Sequence, residues 1–143
     1  MIIAVDFDGT IVEHKYPAIG KEVPFATATL RQLIKDGHKL ILWSVREGEL
    51  LEEAIKWCED RGVRFYSANA NIDEEPGEDS KSTHYSRKLK ADMFIDDRNI
   101  GGLPDWGTIY QLICQRMTYE EYLQAKANDS LYDTKKKRPW WKF

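Results

Sequence analysis

Cysteine is scarce in this chain of 143 residues, which contains only Cys58 and Cys114. Neither residue has the CxxC or Cys/His spacing of a metal site, which excludes a cysteine-based zinc centre and a disulfide-stapled scaffold. Both residues fall in apolar surroundings at helical spacing. We therefore expect two buried free thiols.

Long hydrophobic runs are also absent. No stretch reaches the ~20 uncharged apolar residues that a membrane-spanning helix needs. The first ten residues contain Asp6 and Asp8, where a signal peptide would have a basic region followed by an apolar run. We therefore expect a soluble, cytoplasmic protein that makes no membrane contact, with one domain's worth of chain.

Positive charge is concentrated at one end of the chain. The net charge is -3, and residues 134–143 carry five basic and no acidic side chains, which leaves residues 1–133 at -8. An acidic body argues against a broad nucleic-acid-binding face. The pattern predicts a core over residues 1–127 and a flexible basic, aromatic tail over residues 128–143.

Apolar runs alternate with segments of helical apolar spacing. The predicted strands cover residues 2–6, 39–43, 63–66 and 92–95. The predicted helices run from Pro24 to Gly37, from a capping box at Ser44 and Glu47 to Gly62, over 104–115, and from a capping box at Thr118 and Glu121 to Ala127. This alternation predicts an α/β fold, a Rossmann-like parallel sheet sandwiched by helices.

Residues 67–81 have no periodicity, and five acidic side chains fall between Asp73 and Asp79. This composition is typical of a loop, and a loop of this length in a compact domain is usually functional or disordered. A short helical stretch is predicted between this loop and the last strand.

Polar side chains follow three of the predicted strands. Asp6 and Asp8 follow the first, Ser44 follows the second, and Asp96 and Asp97 follow the last. Because ligands bind beyond the carboxyl ends of parallel strands, these groups should converge. Crowded carboxylates need a positive partner, and hard oxygen ligands favour Mg²⁺ over zinc. The alternative is that the acids only cap turns or face water.

The five residues 6–10 read DFDGT, a DxDGT motif at the end of an apolar strand, and here the sequence resembles the haloacid dehalogenase superfamily of phosphatases and phosphotransferases. The resemblance covers residues 1 to about 127. It includes Ser44, a lysine ahead of the last strand and the acidic pair. The segment KLKADMFIDDRN is similar to small bacterial hydrolases of that superfamily. The resemblance implies a Rossmann-like core and an aspartyl-phosphate mechanism.

The resemblance also implies a role for each matching residue. Asp6 is the expected nucleophile, and Asp8 is the expected general acid and base. Lys88 is expected to balance charge on the transferring phosphoryl group, with Lys90 as its competitor. The expected phosphate-binding residues are Gly9, Thr10, Ser44 and Lys88; the expected metal ligands are Asp6, Asp8 through its backbone carbonyl, Asp96 and Asp97; the expected substrate contacts are Arg46 and Arg98.

We expect ordinary structural roles for other conspicuous side chains. His14 and His84 lack metal-ligand spacing and are expected to be solvated. Trp106 is expected to pack in the core. Ser44 could act at once as a helix cap and as a phosphate ligand at the helix N-terminus.

The spacing of the motifs leaves no room for the cap domain that superfamily members usually carry. The 37 residues between Asp6 and Ser44 and the 43 between Ser44 and Lys88 are already occupied by predicted elements. We expect a capless core covered only by a flap, residues 11–22, and by the acidic loop. A homo-oligomer is favoured over a self-lidding monomer as the source of further cover.

The sequence thus predicts a magnesium-dependent phosphatase that acts on a small-molecule phosphomonoester. A polynucleotide end or another macromolecular phosphate is the alternative substrate, prompted by Asp97, Arg98, Asn99 and the basic tail. A non-catalytic receiver-like module is the alternative class. Receivers pair adjacent acids after the first strand and place an acceptor Asp on the third, a pattern that this sequence lacks.

Overall fold

The computed structural model describes residues 1–73 and 88–136, with side chains up to residue 129. The chain forms two compact units, Met1–Trp106 and Gly107–Phe143. Most of the predicted acidic loop, the short helical stretch after it, His84 and the end of the basic tail lie outside the described residues.

Four parallel strands form the sheet of the first unit. They are β1 (Ile2–Val5), β2 (Lys39–Leu42), β3 (Ser67–Ala68) and β4 (Met93–Ile95), in the spatial order β3-β2-β1-β4. The chain progresses from β1 outward to β3 and then returns to the other side of β1. This reversal creates a topological switch point between β1 and β4, and the predicted parallel α/β sheet is confirmed.

Two helices of the first unit flank the sheet, α1 (Ala26–Lys35) and α2 (Gly48–Glu59). Gly37 adopts φ 95° just beyond α1, and its N–H donates to the carbonyl of Ile34, which closes the helix. The residues that the helices bury recur at helical spacing: Ala26, Leu30 and Leu33 on α1, Ala54 and Cys58 on α2.

Apolar side chains cover the sheet, as expected for parallel strands. Ala4 of β1 and Ile41 of β2 pack with Leu89 in one buried cluster. Phe7, just beyond β1, meets Trp57 of α2 edge to face, with ring centroids 5.8 Å apart. The strand ends are thus held in a packed framework on which polar side chains can be placed.

Two further helices follow: α3 (Trp106–Gln115), which begins at the last residue of the first unit, and α4 (Tyr119–Lys136), which lies in the second unit. The predicted capping box before α4 is confirmed, because the Thr118 N–H donates to Glu121 Oε2 (2.8 Å) and the Glu121 N–H donates to Thr118 Oγ1 (3.2 Å). The helix runs to Lys136, past the predicted end at Ala127. None of the described helices has the length and apolar character needed to cross a membrane.

The predicted capping box before α2 is wrong. The helix begins at Gly48, and Glu47 precedes it without a side-chain cap. Ser44 Oγ instead accepts a hydrogen bond from the Arg46 N–H at 3.1 Å. A serine bonded two residues ahead stabilises a turn that competes with helix formation, which explains the delayed start.

The third strand also differs from the prediction of residues 63–66. The Val63 N–H is used to close α2 by donating to the Cys58 carbonyl, and ladder bonding begins only when the Tyr66 N–H donates to Leu40. Cys58 is buried as expected, whereas Cys114 is exposed, so the prediction of two buried thiols is half right.

Candidate active site

Three carboxylates meet at the switch point of the sheet. Asp6 follows β1, and Asp96 and Asp97 follow β4. The Asp6 N–H donates to the Ile95 carbonyl at 2.9 Å, which continues the pairing between the two strands beyond Val5. One carboxylate oxygen from each acid lies within 4.8 Å of the others. The convergence expected for these acids is therefore present in the fold.

Thr10 forms hydrogen bonds with two residues of this cluster. Its fully buried hydroxyl donates to Asp6 Oδ2 at 3.0 Å and accepts from the Asp97 N–H at 3.1 Å. The indole N–H of Trp106 donates to the Thr10 carbonyl at 3.1 Å, and Trp106 is buried as expected. Thr10 therefore fixes the end of β1 against the end of β4.

The phosphate contacts of Gly9 and Thr10 stay a prediction; in this structure their backbone N–H groups bond within the turn. The Gly9 N–H donates to the Val12 carbonyl at 2.7 Å, and the Thr10 N–H donates to the Phe7 carbonyl at 3.2 Å. These donors already close the DxDGT turn. Gly9 also serves a structural purpose, since its φ is 84° and a Cβ there would collide with the side chains of His14 and Asp97.

The pKa values of Asp6 and Asp97 are shifted in opposite directions. Burial raises the pKa of Asp6 to about 7, with further contributions from a hydrogen bond to Asp97 and the charge of Asp96. Burial also acts to raise the pKa of Asp97, but hydrogen bonds with His14 and Asp6 outweigh it and lower the pKa of that carboxyl. Of the two carboxyls, Asp6 therefore has the higher pKa.

His14 joins the site, contrary to the prediction that it is merely solvated. Its Nε2 lies 2.8 Å from Asp97 Oδ2, although the side chain is 53% exposed. The flap, which carries His14, is anchored where the Glu13 N–H donates to Lys21 and the Val23 N–H donates to Ile11, both at 2.8 Å. No spacing signal in the sequence could have indicated this contact.

The carboxylate cluster fits a hard divalent cation. Asp6, Asp96 and Asp97 present only oxygen donors, the ligand type that Mg²⁺ and Ca²⁺ prefer. Burial is the main cause of the raised pKa of Asp6, and the negative charge of Asp96 adds to it. A divalent cation at this position would supply positive charge in place of the proton.

Asp8 lies beside this cluster and is paired with Arg46. Arg46 Nε and Nη2 donate to the two carboxylate oxygens of Asp8, each at 2.8 Å. Asp8 is 9% exposed and Arg46 is fully buried. The hydrogen bond with Asp8 raises the pKa of Arg46 further. The substrate contact expected of Arg46 is thus replaced, in this arrangement, by an ion pair with Asp8.

Ser44 reaches the site on a loop braced by Asn69. Asn69 Oδ1 accepts from the Ser44 N–H at 2.8 Å, and Asn69 Nδ2 donates to the Arg46 carbonyl at 3.3 Å. Asn69 adopts φ 53°, a left-handed conformation that asparagine tolerates well. Because α2 begins at Gly48, the helix N-terminus expected at Ser44 lies four residues further along the chain.

A cavity of about 440 Å³ opens over these groups. Its lining includes predicted site residues and side chains that the sequence did not indicate. Among the described residues it comprises Asp6, Asp8, His14, Tyr16, Trp43, Ser44, Val45, Asp96 and Arg98. Its volume falls within the range of small-molecule sites. Lys88 and Lys90 are exposed and are not part of this lining.

Asn69, Tyr16, Trp43 and Val45 were not predicted as site residues. Trp43 and Val45 flank Ser44, so their position in the cavity follows once Ser44 is placed at a strand end. Tyr16 belongs to the flap and Asn69 to the turn after β3, and the location of each depends on long-range packing that no local pattern encodes.

A parallel α/β sheet with polar groups at its switch point defines a class of proteins that bind ligands at strand ends. No protein-family model matches the chain. A solved structure of a conserved protein from Bacteroides thetaiotaomicron is 60% identical, with a TM-score of 0.75, and the match covers 84% of this chain and 94% of that one. The chain belongs to the family of this Bacteroides protein.

A more distant match is a Bacillus cereus protein named "Putative nucleotidase". It is 24% identical over an alignment of 94 residues, and the match covers 62% of this chain. The chain spans a little under half of that relative's length, 46%.

Proposed function

We propose that the protein is a magnesium-dependent phosphomonoester hydrolase that works through an aspartyl-phosphate intermediate, as the DxDGT resemblance to the haloacid dehalogenase superfamily implies. The observation that carries this proposal is the position of Asp6. Its carboxyl group lies within 4.8 Å of Asp96 and Asp97 and lines the same cavity as Asp8 and Ser44. The nucleotidase name of the Bacillus relative supports a phosphatase-like hydrolase.

The first displacement transfers a phosphoryl group to the protein. An oxygen of the Asp6 carboxylate attacks phosphorus and forms an acyl phosphate, while the bond from phosphorus to the ester oxygen breaks. The electron pair leaves with that oxygen, which takes a proton from Asp8. For this step Asp8 must first be protonated, on an oxygen lone pair that its hydrogen bonds with Arg46 leave unused. The products are a free alcohol, phosphorylated Asp6 and an Asp8 carboxylate.

The second displacement regenerates Asp6. The Asp8 carboxylate accepts a proton from a water molecule, whose oxygen attacks phosphorus, and the bond between phosphorus and the Asp6 oxygen breaks. Phosphate leaves and Asp6 returns as a carboxylate. One acid–base group thus serves both steps, and its proton is restored in the second.

Asp6, Asp96 and Asp97 would hold Mg²⁺ through carboxylate oxygens, with the backbone carbonyl of Asp8 as a further ligand by resemblance. When bound, the cation would offset the negative charge that accumulates on the phosphoryl oxygens. Ser44 is the proposed hydrogen-bond donor to a phosphoryl oxygen, because it lines the cavity. Lys88 remains the proposed source of positive charge from the protein.

The receiver alternative has no support from the third strand. A receiver would place its acceptor Asp at the end of β3, whereas β3 ends at Ala68 and is followed by Asn69, which braces the Ser44 loop. The homo-oligomer expected from the missing cap stays a prediction.

The proposal is tested by turnover of a chromogenic phosphate ester. With Mg²⁺ the protein should release the chromophore and inorganic phosphate, and a chelator should abolish both. Asp6→Asn should lower kcat by ~10³-fold or more, since it removes the nucleophile. Asp60→Asn, a matched charge change at the exposed C-terminal end of α2, is the control and should keep wild-type turnover. An Asp6→Asn variant that retained most of its activity would refute the proposal.

The substrate class is narrowed by a screen of purified protein. The screen should include nucleoside monophosphates, because of the relative's name, together with sugar phosphates and 3′- and 5′-phosphorylated oligonucleotides. A cavity of about 440 Å³ suits a small phosphate ester, so we expect small esters to be preferred over oligonucleotide ends.

A further inference from the structure

Arg46 is a fully buried cation. It lies on the same loop as Ser44 and contacts both Asp8 and the flap. Besides its two bonds to Asp8, its Nη1 donates to the Pro17 carbonyl at 3.1 Å and its Nη2 donates to the Ala18 carbonyl at 3.0 Å. Pro17 and Ala18 belong to the flap. The side chain that holds Asp8 therefore also holds the flap.

Two aromatic rings lie close to the guanidinium group, and hydrogen bonds hold the main chain of Arg46. The rings of Phe7 and Tyr16 each lie with their centroid 5.2 Å from the guanidinium carbon. The Arg46 N–H donates to Ser44 Oγ, and its carbonyl accepts from Asn69. Planar stacking and a two-pronged carboxylate contact are features that Arg provides and Lys does not.

These contacts make the orientation of Asp8 dependent on the position of the flap. If the flap moved away, two donors of a buried cation would lose their acceptors, a costly change. If Arg46 were lost, Asp8 could rotate about its side-chain bonds and the two flap carbonyls would lose their partner. Two-pronged pairing still leaves lone pairs on the Asp8 oxygens, and Asp8 lines the cavity where a substrate would bind.

We infer that Arg46 is a positioning residue: it orients the acid–base group Asp8 and ties that orientation to the closed position of the flap. This inference rests on the proposed function for its catalytic part. Arg46 itself need not touch the substrate. Its effect on catalysis passes through Asp8, and its effect on the flap passes through the carbonyls of residues 17 and 18.

The catalytic part is tested with aryl phosphates of graded leaving-group acidity. Phenyl phosphate needs a proton on its departing oxygen, whereas 2,4-dinitrophenyl phosphate needs little help. Arg46→Lys keeps the charge but loses the two-pronged contact, so kcat for phenyl phosphate should fall ~10²-fold or more, with much less change for the dinitrophenyl ester. Arg31→Lys, which alters a guanidinium-to-carbonyl contact on α1, is the matched control and should change neither rate.

The outcomes separate the two proposals. Equal losses with both esters, or a rise in KM alone, would overturn the positioning role. A wild-type protein that hydrolyses neither ester would instead overturn the proposed phosphatase function, and the flap measurement would then decide the inference.

The flap measurement is amide hydrogen exchange over residues 11–22, read at the Glu13 N–H, which donates to Lys21. Exchange there should be ~10-fold faster or more in Arg46→Lys than in the wild type or in Arg31→Lys. Should Arg46→Lys not fold, Asp8→Asn weakens the same ion pair from the other side and should accelerate the same amide. Unchanged exchange in the folded variant would overturn the coupling.

Discussion

At the scale of single residues, the positions of some site residues could be predicted from the sequence and those of others could not. The acids of the DxDGT turn and of the β4 end were predicted to converge, and Asp6, Asp96 and Asp97 do lie together. Strand ends in a parallel sheet determine that result directly. Arg46 and His14 could not be placed in the same way, because their partners lie 38 and 83 positions away and are selected by the path of the flap.

The two lysines near the last strand provide a prediction at this scale. Lys88→Ala should lower kcat/KM by ~10²-fold, about 3 kcal/mol of transition-state stabilisation, because a charge that acts on the transferring phosphoryl group is lost. Lys90→Ala is the matched control and should have little effect. Steady-state kinetics with one ester checks both variants, and the reverse ranking would transfer the role to Lys90.

The buried thiol of Cys58 gives a prediction about stability and pH. Burial raises the pKa of Cys58 from 9.0 to about 12, so the unfolded chain loses this proton at lower pH than the folded chain does. The unfolded state then binds fewer protons, and stability falls as pH rises above about 9, by up to ~1.4 kcal/mol per pH unit.

Chemical denaturation between about pH 8 and 10 measures this slope. Cys58→Ala should remove the contribution, whereas Cys114→Ala should keep it, because Cys114 is exposed. Identical slopes in the wild type and in Cys58→Ala would show that the thiol does not contribute.

Helices and strands were predicted well where apolar periodicity is strong. They were predicted poorly where a polar residue can either cap a helix or stabilise a turn. The strands at residues 39–42 and 93–95 and the helix closed by Gly37 match their predictions closely. Ser44 and Glu47 have the same capping-box spacing as Thr118 and Glu121, yet only the second pair caps a helix. Ser44 is instead held by Asn69, a distant residue that sequence spacing cannot reveal.

The confirmed capping box gives a prediction for α4. Thr118→Ala removes the acceptor for the Glu121 N–H and should destabilise the helix by about 1 kcal/mol. Hydrogen exchange of the amides in the first turn of α4 should become faster, and Thr118→Ser, which keeps a hydroxyl, should restore protection. Unchanged exchange in Thr118→Ala would mean that the hydroxyl contributes nothing to the helix start.

The whole molecule combines a predictable sheet with a cover that local patterns do not encode. The parallel sheet could be predicted from right-handed crossovers and apolar strands. The order β3-β2-β1-β4, which brings the acids together at the switch point, is known from the structure alone. The flap and Asp8 are both hydrogen-bonded to the buried Arg46, and that arrangement depends on tertiary contacts. The proposed chemistry uses residues at the sheet edge, and we propose that the flap affects it through Arg46.

The most direct test of the aspartyl-phosphate mechanism is to locate the phosphoryl group on the protein during turnover. Asp8→Asn, supplied with Mg²⁺ and 2,4-dinitrophenyl phosphate and quenched in acid, should accumulate one phosphoryl group on the peptide that contains Asp6, because water attack on the intermediate is slowed. Peptide mass spectrometry should show it there and should find none in Asp6→Asn. If the wild-type protein turned over the ester while neither it nor Asp8→Asn carried a phosphoryl group on Asp6, that mechanism would be contradicted.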